Sequence, residues 1–222
     1  MTAISESDLN QARLRSRKGE ATRARLLQAA KEVFEADGFL DARVTDISER
    51  AELSHGSFYT YFESKEQIFR EIALQIAEQM SAPVGGVILS PGSRATPHDR
   101  LHEAIGSYLE AYRREAKMMR VIEQVSRHDE PLRAARLEWR ERTQQLVTDS
   151  IGRLQQHGLC DPRLDPVIAS AIVGAMTERF PEMWFSEGLI DCSFEDGAEQ
   201  LTVMVMNALG LRDRPAGRPP PR

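Results

Sequence analysis

Asp46-Ile47-Ser48-Glu49-Arg50-Ala51-Glu52-Leu53-Ser54-His55-Gly56-Ser57-Phe58-Tyr59-Thr60-Tyr61-Phe62-Glu63-Ser64-Lys65-Glu66 reads as two short helices joined by a tight turn. Val44, Ile47 and Ala51 are spaced as one face of a helix about two turns long, and Phe58 and Phe62 as the face of another. Helices this short must pack on each other and on a longer neighbour. Upstream, Leu26, Ala30 and Val33, with Leu27 and Phe34 beside them, form a stripe from Glu20 that closes at Gly38, where a left-handed C-cap is easy. Downstream, Ser64 and Gln67 make a capping box, and Ile68, Phe69, Ile72 and Ile76 give the next helix its buried stripe. A long helix and then two short ones across a turn is a helix-turn-helix, whose second helix enters the major groove of DNA.

Charge agrees with that expectation locally, although the 222-residue chain has a net charge of −5. Residues 11–31 carry Arg13, Arg15, Arg17, Lys18, Arg23, Arg25 and Lys31 against Glu20 alone. A basic face on an acidic protein is the electrostatic footprint of a nucleic-acid contact. Its place just before the first helix predicts an arm that reaches DNA, as minor-groove arms do. With 41% hydrophobic and 28% charged residues, the composition excludes disordered and collagen-like chains. No apolar run reaches the roughly 18 residues of a membrane span, and no apolar signal core follows Met1, so a cytoplasmic protein is expected. In that compartment Cys160 and Cys192 are expected to stay unbridged.

Beyond the helix-turn-helix, residues 81–97 turn to Pro83, Gly85, Gly86, Pro91, Gly92 and Pro97, a loop composition that predicts a boundary. Thr96, Pro97 and Asp99 open a helix over 97–116, and a separate one is expected over 118–126. A long amphipathic helix over 131–157 ends at Gly158; Asp165-Pro166 and Ser193-x-x-Asp196 open the last two, with Pro181 ending or kinking the first of these. That first helix is apolar over 167–176 except for Ser170, and the last is apolar over 201–206 except for Thr202. A helix apolar all round needs cover on every side, which in a protein of this size is often another subunit. The expected fold is all-α. A flexible basic arm (1–19) precedes a three-helix helix-turn-helix DNA-binding domain (20–78); after a linker loop (79–96) come a helical ligand-binding and dimerisation domain (97–211) and a disordered tail (212–222).

The quoted stretch closely resembles the signature of the TetR family of transcriptional regulators, and the resemblance extends over 23–72, including Ala29-Ala30, Phe34 and Gly38. It implies a homodimer on a double-stranded, inverted-repeat operator, most often a repressor, released by a small-molecule effector. The residues support this one by one. Ser54 is an N-cap for the recognition helix; Gly56 and Ser57 are small enough for close approach to the groove; His55 offers or accepts a hydrogen bond at a base edge. Tyr59, Tyr61 and Lys65 are the positions that clamp the DNA backbone in the family, and Thr45 joins the DNA-binding set. Phe58 and Phe62 read as core. Two residues depart from the pattern. Arg43 stands where Ser or Thr usually caps the second helix, and cannot cap but can bind a phosphate. Glu52 stands where the turn often has Gly, at a cost of about 1–2 kcal/mol if it is left-handed.

The resemblance also implies an effector pocket between the later helices, where bundles place small ligands. Most of the aromatic and methionine residues there are core, but Tyr108, Tyr112, Met119, Trp139, Phe180 and Trp184 are candidates for its lining, and their character predicts an apolar or aromatic effector. Helix four, running from Lys65 past Ile76 toward that part, is expected to act as a lever. For the dimer, the last two helices offer Ile168, Ala171, Ile172, Gly174, Ala175, Leu201 and Val205. No phosphate loop, nucleophile elbow or metal-protease helix occurs, so neither an enzyme nor a cofactor is expected. His98 and His102, four apart beside Asp99 and Glu103, have chelating spacing but no further identifiable ligand; a solvated helix start without metal is expected. The rival readings are an all-helical enzyme using the N-terminal part as scaffold, and an effector-independent DNA-binding protein.

Overall fold

The computed structural model describes the backbone of residues 6–81 and 96–211 and the side chains of 17–80 and 96–211. The expected linker lies mostly outside these residues, and the expected tail wholly so. Every regular element described is helical: α1 (Glu6–Asp41), α2 (Val44–Arg50), α3 (His55–Phe58), α4 (Lys65–Ser81), α5 (Pro97–Ser126), α6 (Glu130–Gln156), α7 (Pro166–Pro181), a π-helical turn (Glu182–Ser186) and α8 (Phe194–Leu209). The chain separates into two units, Met1–Leu74 and Gln75–Arg222. The division falls inside α4, a few residues earlier than the expected domain end.

In the first unit, α1, α2, α3 and the start of α4 close over Leu26, Phe34, Ile47, Phe58, Phe62, Ile68 and Phe69, all essentially without solvent contact. Phe34 meets Phe69 edge-on at 5.0 Å, and Phe39 meets Phe69 at 4.8 Å. Each buried phenylalanine contributes about 1.5–3 kcal/mol, so this cluster holds helices that are too short to persist alone. α1 breaks at Gly38 (φ 76°), a conformation that a side chain resists. The arm expected to be flexible is instead helical in its backbone from Glu6 onward and continuous with α1. Between Glu6 and Lys18 there is neither glycine nor proline, and Leu, Gln, Ala, Arg and Lys propagate a helix well.

In the second unit, the core is made by Leu101, Ile105 and Leu109 of α5, Ile151 of α6, Ala169 and Val173 of α7, and Ala198, Leu201, Val205 and Leu209 of α8. The two helices expected over 97–116 and 118–126 are one, because the junction Glu115-Ala116-Lys117 contains no breaker. Caps fall where the sequence puts them. Thr96 and Asp99 form a reciprocal capping box, Asp165 accepts from the backbone N–H of Val167 and Ile168, and Ser193 accepts from that of Asp196. Pro181 closes α7 before the π-helical turn. Cys160 is buried, Cys192 is exposed, and both are free.

Candidate nucleic-acid interface and cavity

The helix-turn-helix is built by a short turn between α2 and α3. The Leu53 N–H bonds back to the Ser48 carbonyl at 2.9 Å, which forces Glu52 to φ 55°. Glutamate therefore does occupy the left-handed position. Ser54 caps α3, its hydroxyl accepting from the Ser57 N–H at 3.3 Å while the two hydroxyls lie 2.7 Å apart. Arg43 occupies the N-cap of α2 in extended conformation and makes no side-chain cap bond, which leaves its guanidinium exposed. Thr45, Ser54, His55, Gly56 and Tyr59 are exposed, and Ser57 and Tyr61 half so. The His55 and Tyr59 rings meet edge-on at 5.2 Å, while Phe58 and Phe62 are buried beneath them. The helix thus has a polar, small-residue outer face on a rigid aromatic base.

Lys65 is placed differently from expectation. Its ammonium donates to the carbonyls of Phe39, Leu40 and Ala42 at 2.8, 3.3 and 2.9 Å and lies 4.7 Å from the Phe39 ring centre. An ammonium has three donors, and all three point at the carbonyl-rich end of α1. It ties α1 to α4 rather than standing open to a phosphate. The basic segment divides in the same way. Arg23 pairs with Glu71 and covers the Phe62 ring, and Lys31 lies 3.9 Å from Glu35; Arg17, Lys18 and Arg25 are exposed. Sequence could show the excess of charge but not which charges the fold consumes.

Within the second unit, α5, α6 and α7, with Val205 and Leu209 of α8, line a partly open cavity of about 460 Å³. Tyr108 and Trp139 line it, as expected, whereas Tyr112, Met119, Phe180 and Trp184 do not. The aromatic ones among the latter are used on each other: Trp184 stacks on Phe185 at 4.2 Å and meets Phe180 at 5.4 Å, and Tyr112 meets Phe185 at 6.3 Å. Burial, with the Glu178 carboxylate nearby, pushes the Tyr108 phenol above its ordinary value of 10, so it stays a neutral hydroxyl at neutral pH. Arg140 and Glu178, both on the wall, form an ion pair at 2.9 Å. Arg100 is not among the expected aromatic lining, yet 100, 104 and 108 share one helical face and all line the cavity, so helical spacing from Tyr108 leads to it.

The expected dimer residues separate into three groups. Ile168 and Ile172 are 62% and 54% exposed, so α7 presents an uncovered apolar face. Ala171, Gly174 and Ala175 line the cavity, and Ala171 and Ala175 are exposed as Ile168 and Ile172 are. Leu201 and Val205, only 5% and 2% exposed, belong to the chain's own core, because α8 turns its i, i+4 stripe onto α5. The expectation for those two is corrected. The histidine pair is partly exposed and packs against α8: His98 Nε2 and His102 Nδ1 lie 3.2 Å from the two oxygens of Glu199. Among the described residues no group of three or more His, Cys, Asp or Glu is arranged to hold a metal.

Two family models match the chain: "Bacterial regulatory proteins, tetR family" over residues 26–72, and "Tetracyclin repressor-like, C-terminal domain" over 94–208. The HTH-type transcriptional regulator YdgC of Bacillus subtilis is 39% identical over 75 residues, 34% of this chain and 38% of that protein. The HTH-type transcriptional regulator UidR of Escherichia coli is 33% identical over 91 residues, 39% of this chain and 46% of that protein. The chain thus matches less than half the length of these curated relatives. In fold it is similar to Salmonella enterica GusR, with a TM-score of 0.68 at 20% identity over 86% of this chain and 96% of that one. Among the described residues no helix is long and apolar enough to cross a membrane. With an N-terminal helix-turn-helix carrying the signature of these regulators, and a family model covering more than half of the sequence behind it, the chain belongs to the TetR family.

Proposed function

We propose that this chain is a homodimeric transcriptional repressor that binds an inverted-repeat operator and is released from it by a small molecule held between α5, α6 and α7. The observation that carries the reading is the outer face of α3. His55, Gly56 and Ser57 stand clear of the aromatic base, flanked by exposed Arg43, Thr45 and Tyr59. Small and hydrogen-bonding groups at the groove read bases, while the guanidinium and hydroxyls around them hold phosphates. Exposed Arg17, Lys18 and Arg25 on α1 add the attraction that is independent of sequence. Lys65 acts here by fixing α4 to the end of α1. Tyr61 joins the phosphate set.

The exposed apolar face of α7 is the natural place for a second copy, which would present a second α3 to the matching half-site. A largely apolar or aromatic effector suits the cavity walls. Gating follows if the effector prefers a state in which the two recognition helices no longer match successive grooves, and α4, with Lys65 at one end and the cavity residue Met80 at the other, carries the coupling. Reciprocity then requires DNA to weaken effector binding by the same factor, about 5- to 150-fold.

Selecting bound duplexes from a random pool with the full chain tests the reading. A palindromic consensus is expected, with half-sites about one helical turn apart. His55→Ala or Ser57→Ala changes the preferred bases; Arg43→Ala weakens all sequences together and shallows the salt dependence by about one unit. Equal affinity for random and selected duplexes would establish an architectural binder instead, and turnover of a bound metabolite without any DNA selection would establish an enzyme.

A further inference from the structure

The cavity wall is apolar over most of its extent, through Leu101, Ile105, Val147, Leu154 and Val173, but its polar groups are not balanced. Three charged side chains line it, and two of them, Arg140 and Glu178, neutralise each other. Arg100 is left. Its Nε and Nη1 are buried with no hydrogen-bond partner, and so is the Nε1 of Trp139 on α6. All three are donors, and no lining acceptor among the described residues is in the same condition. Buried donors left unpaired forfeit their hydration, and the cost is greater when they belong to a charged group.

We infer that the small molecule this cavity takes is an amphipathic organic anion, a carboxylate on an apolar body, with the carboxylate paired to Arg100. The inference rests on the reading of the cavity as an effector site and narrows the class of effector. Arg100 is in the first turns of α5, where the helix dipole also favours negative charge. The guanidinium Nε–H and Nη1–H are free to donate charge-assisted hydrogen bonds to carboxylate oxygens, which are stronger than the bonds a neutral amide oxygen would accept. Trp139 offers a separate single donor, suited to a carbonyl or hydroxyl oxygen on the body of the ligand. A volume of about 460 Å³ is that of a small-molecule site rather than of a peptide groove. A purely apolar ligand would fill the same space and leave every one of these donors unpaired.

Calorimetric titration of the full chain with matched acids and primary amides tests this: decanoate against decanamide, 4-phenylbutyrate against 4-phenylbutanamide, and 1-naphthaleneacetate against its amide. At least one acid is expected to bind about tenfold or more tightly than its amide, as a charge-assisted pair requires. Arg100→Gln should bring that pair level, while Trp139→Phe weakens acid and amide alike. If no acid in the panel is preferred to its amide, or if R100Q keeps the preference, the inference is overturned. The wild-type comparison decides even if R100Q fails to fold. Operator affinity, measured on the same samples, separates this from the reading beneath it. An Arg100-dependent acid that leaves operator affinity unchanged upholds the ligand class and removes the gating; an amide that binds as tightly as its acid and releases the operator does the reverse.

Discussion

At position 52 a glutamate holds a left-handed backbone (φ 55°) in the turn on which α3 depends. A non-glycine residue there costs about 1–2 kcal/mol, and glycine would lift that cost at the expense of about 0.5–1 kcal/mol of extra freedom in the unfolded chain. Glu52→Gly should therefore stabilise the protein by up to about 1 kcal/mol, whereas Glu52→Ala, which retains a Cβ, should not. Urea denaturation of the two variants beside the wild type decides it, and an equal effect of both would show that the turn is not strained. Lys65, at the start of a helix next to a DNA-reading element, reads as a phosphate ligand, yet three carbonyls at the end of α1 lie within reach and take its donors.

Among the helices, α8 is held by a contact that only glycine permits. A Cβ at Gly197 would lie 2.4 Å from the Trp184 ring. That ring cannot retreat easily, since Phe185 stacks on it at 4.2 Å and Phe180 and Phe194 flank it at 5.4 and 6.1 Å. Gly197→Ala is expected to cost about 1–3 kcal/mol through overpacking, although alanine is the better helix former. A midpoint in urea equal to or above that of the wild type would show that the aromatic stack can shift. The same stack keeps Phe180 and Trp184 away from the cavity lining. Phe180 and Trp184 pack on each other and on Phe185 and Phe194, and aliphatic residues such as Val147, Leu154 and Val173 of α6 and α7 line the wall instead.

For the whole molecule the exposed face of α7 matters most. Val167, Ile168 and Ile172 are exposed large hydrophobics on a helix whose other side is core, an arrangement that marks an interaction surface. Ile168→Glu with Ile172→Glu should leave the chain folded, because neither side chain supports its own core, but should place unpaired charges in the interface and yield monomers. Sedimentation reads the association state, and a monomer should lose the affinity for paired half-sites while keeping weak non-specific binding. A dimer that survives both changes would place the interface elsewhere. By the same argument, a change at Leu201 or Val205 should act on folding, since both are inside the second unit.

What sequence alone could determine here is whatever depends on local periodicity and local chemistry. The helix-turn-helix, its buried Phe58 and Phe62, the break at Gly38, the strain at Glu52 and the caps at Ser54, Thr96, Asp165 and Ser193 all involve residues a few positions apart, where helical geometry sets who meets whom. The uninterrupted α5 and the helical run back to Glu6 are less legible, because weak local end signals occur where no breaker stands. Tertiary structure alone decided which of several equivalent groups is consumed by a distant partner. Lys65 goes to α1, Arg140 goes to Glu178, and Leu201 and Val205 go to the core. Arg100 is left facing the cavity with its donors unpaired. A side chain's type states what it can bind; burial and the neighbours brought to it by other helices determine whether it is still free to do so.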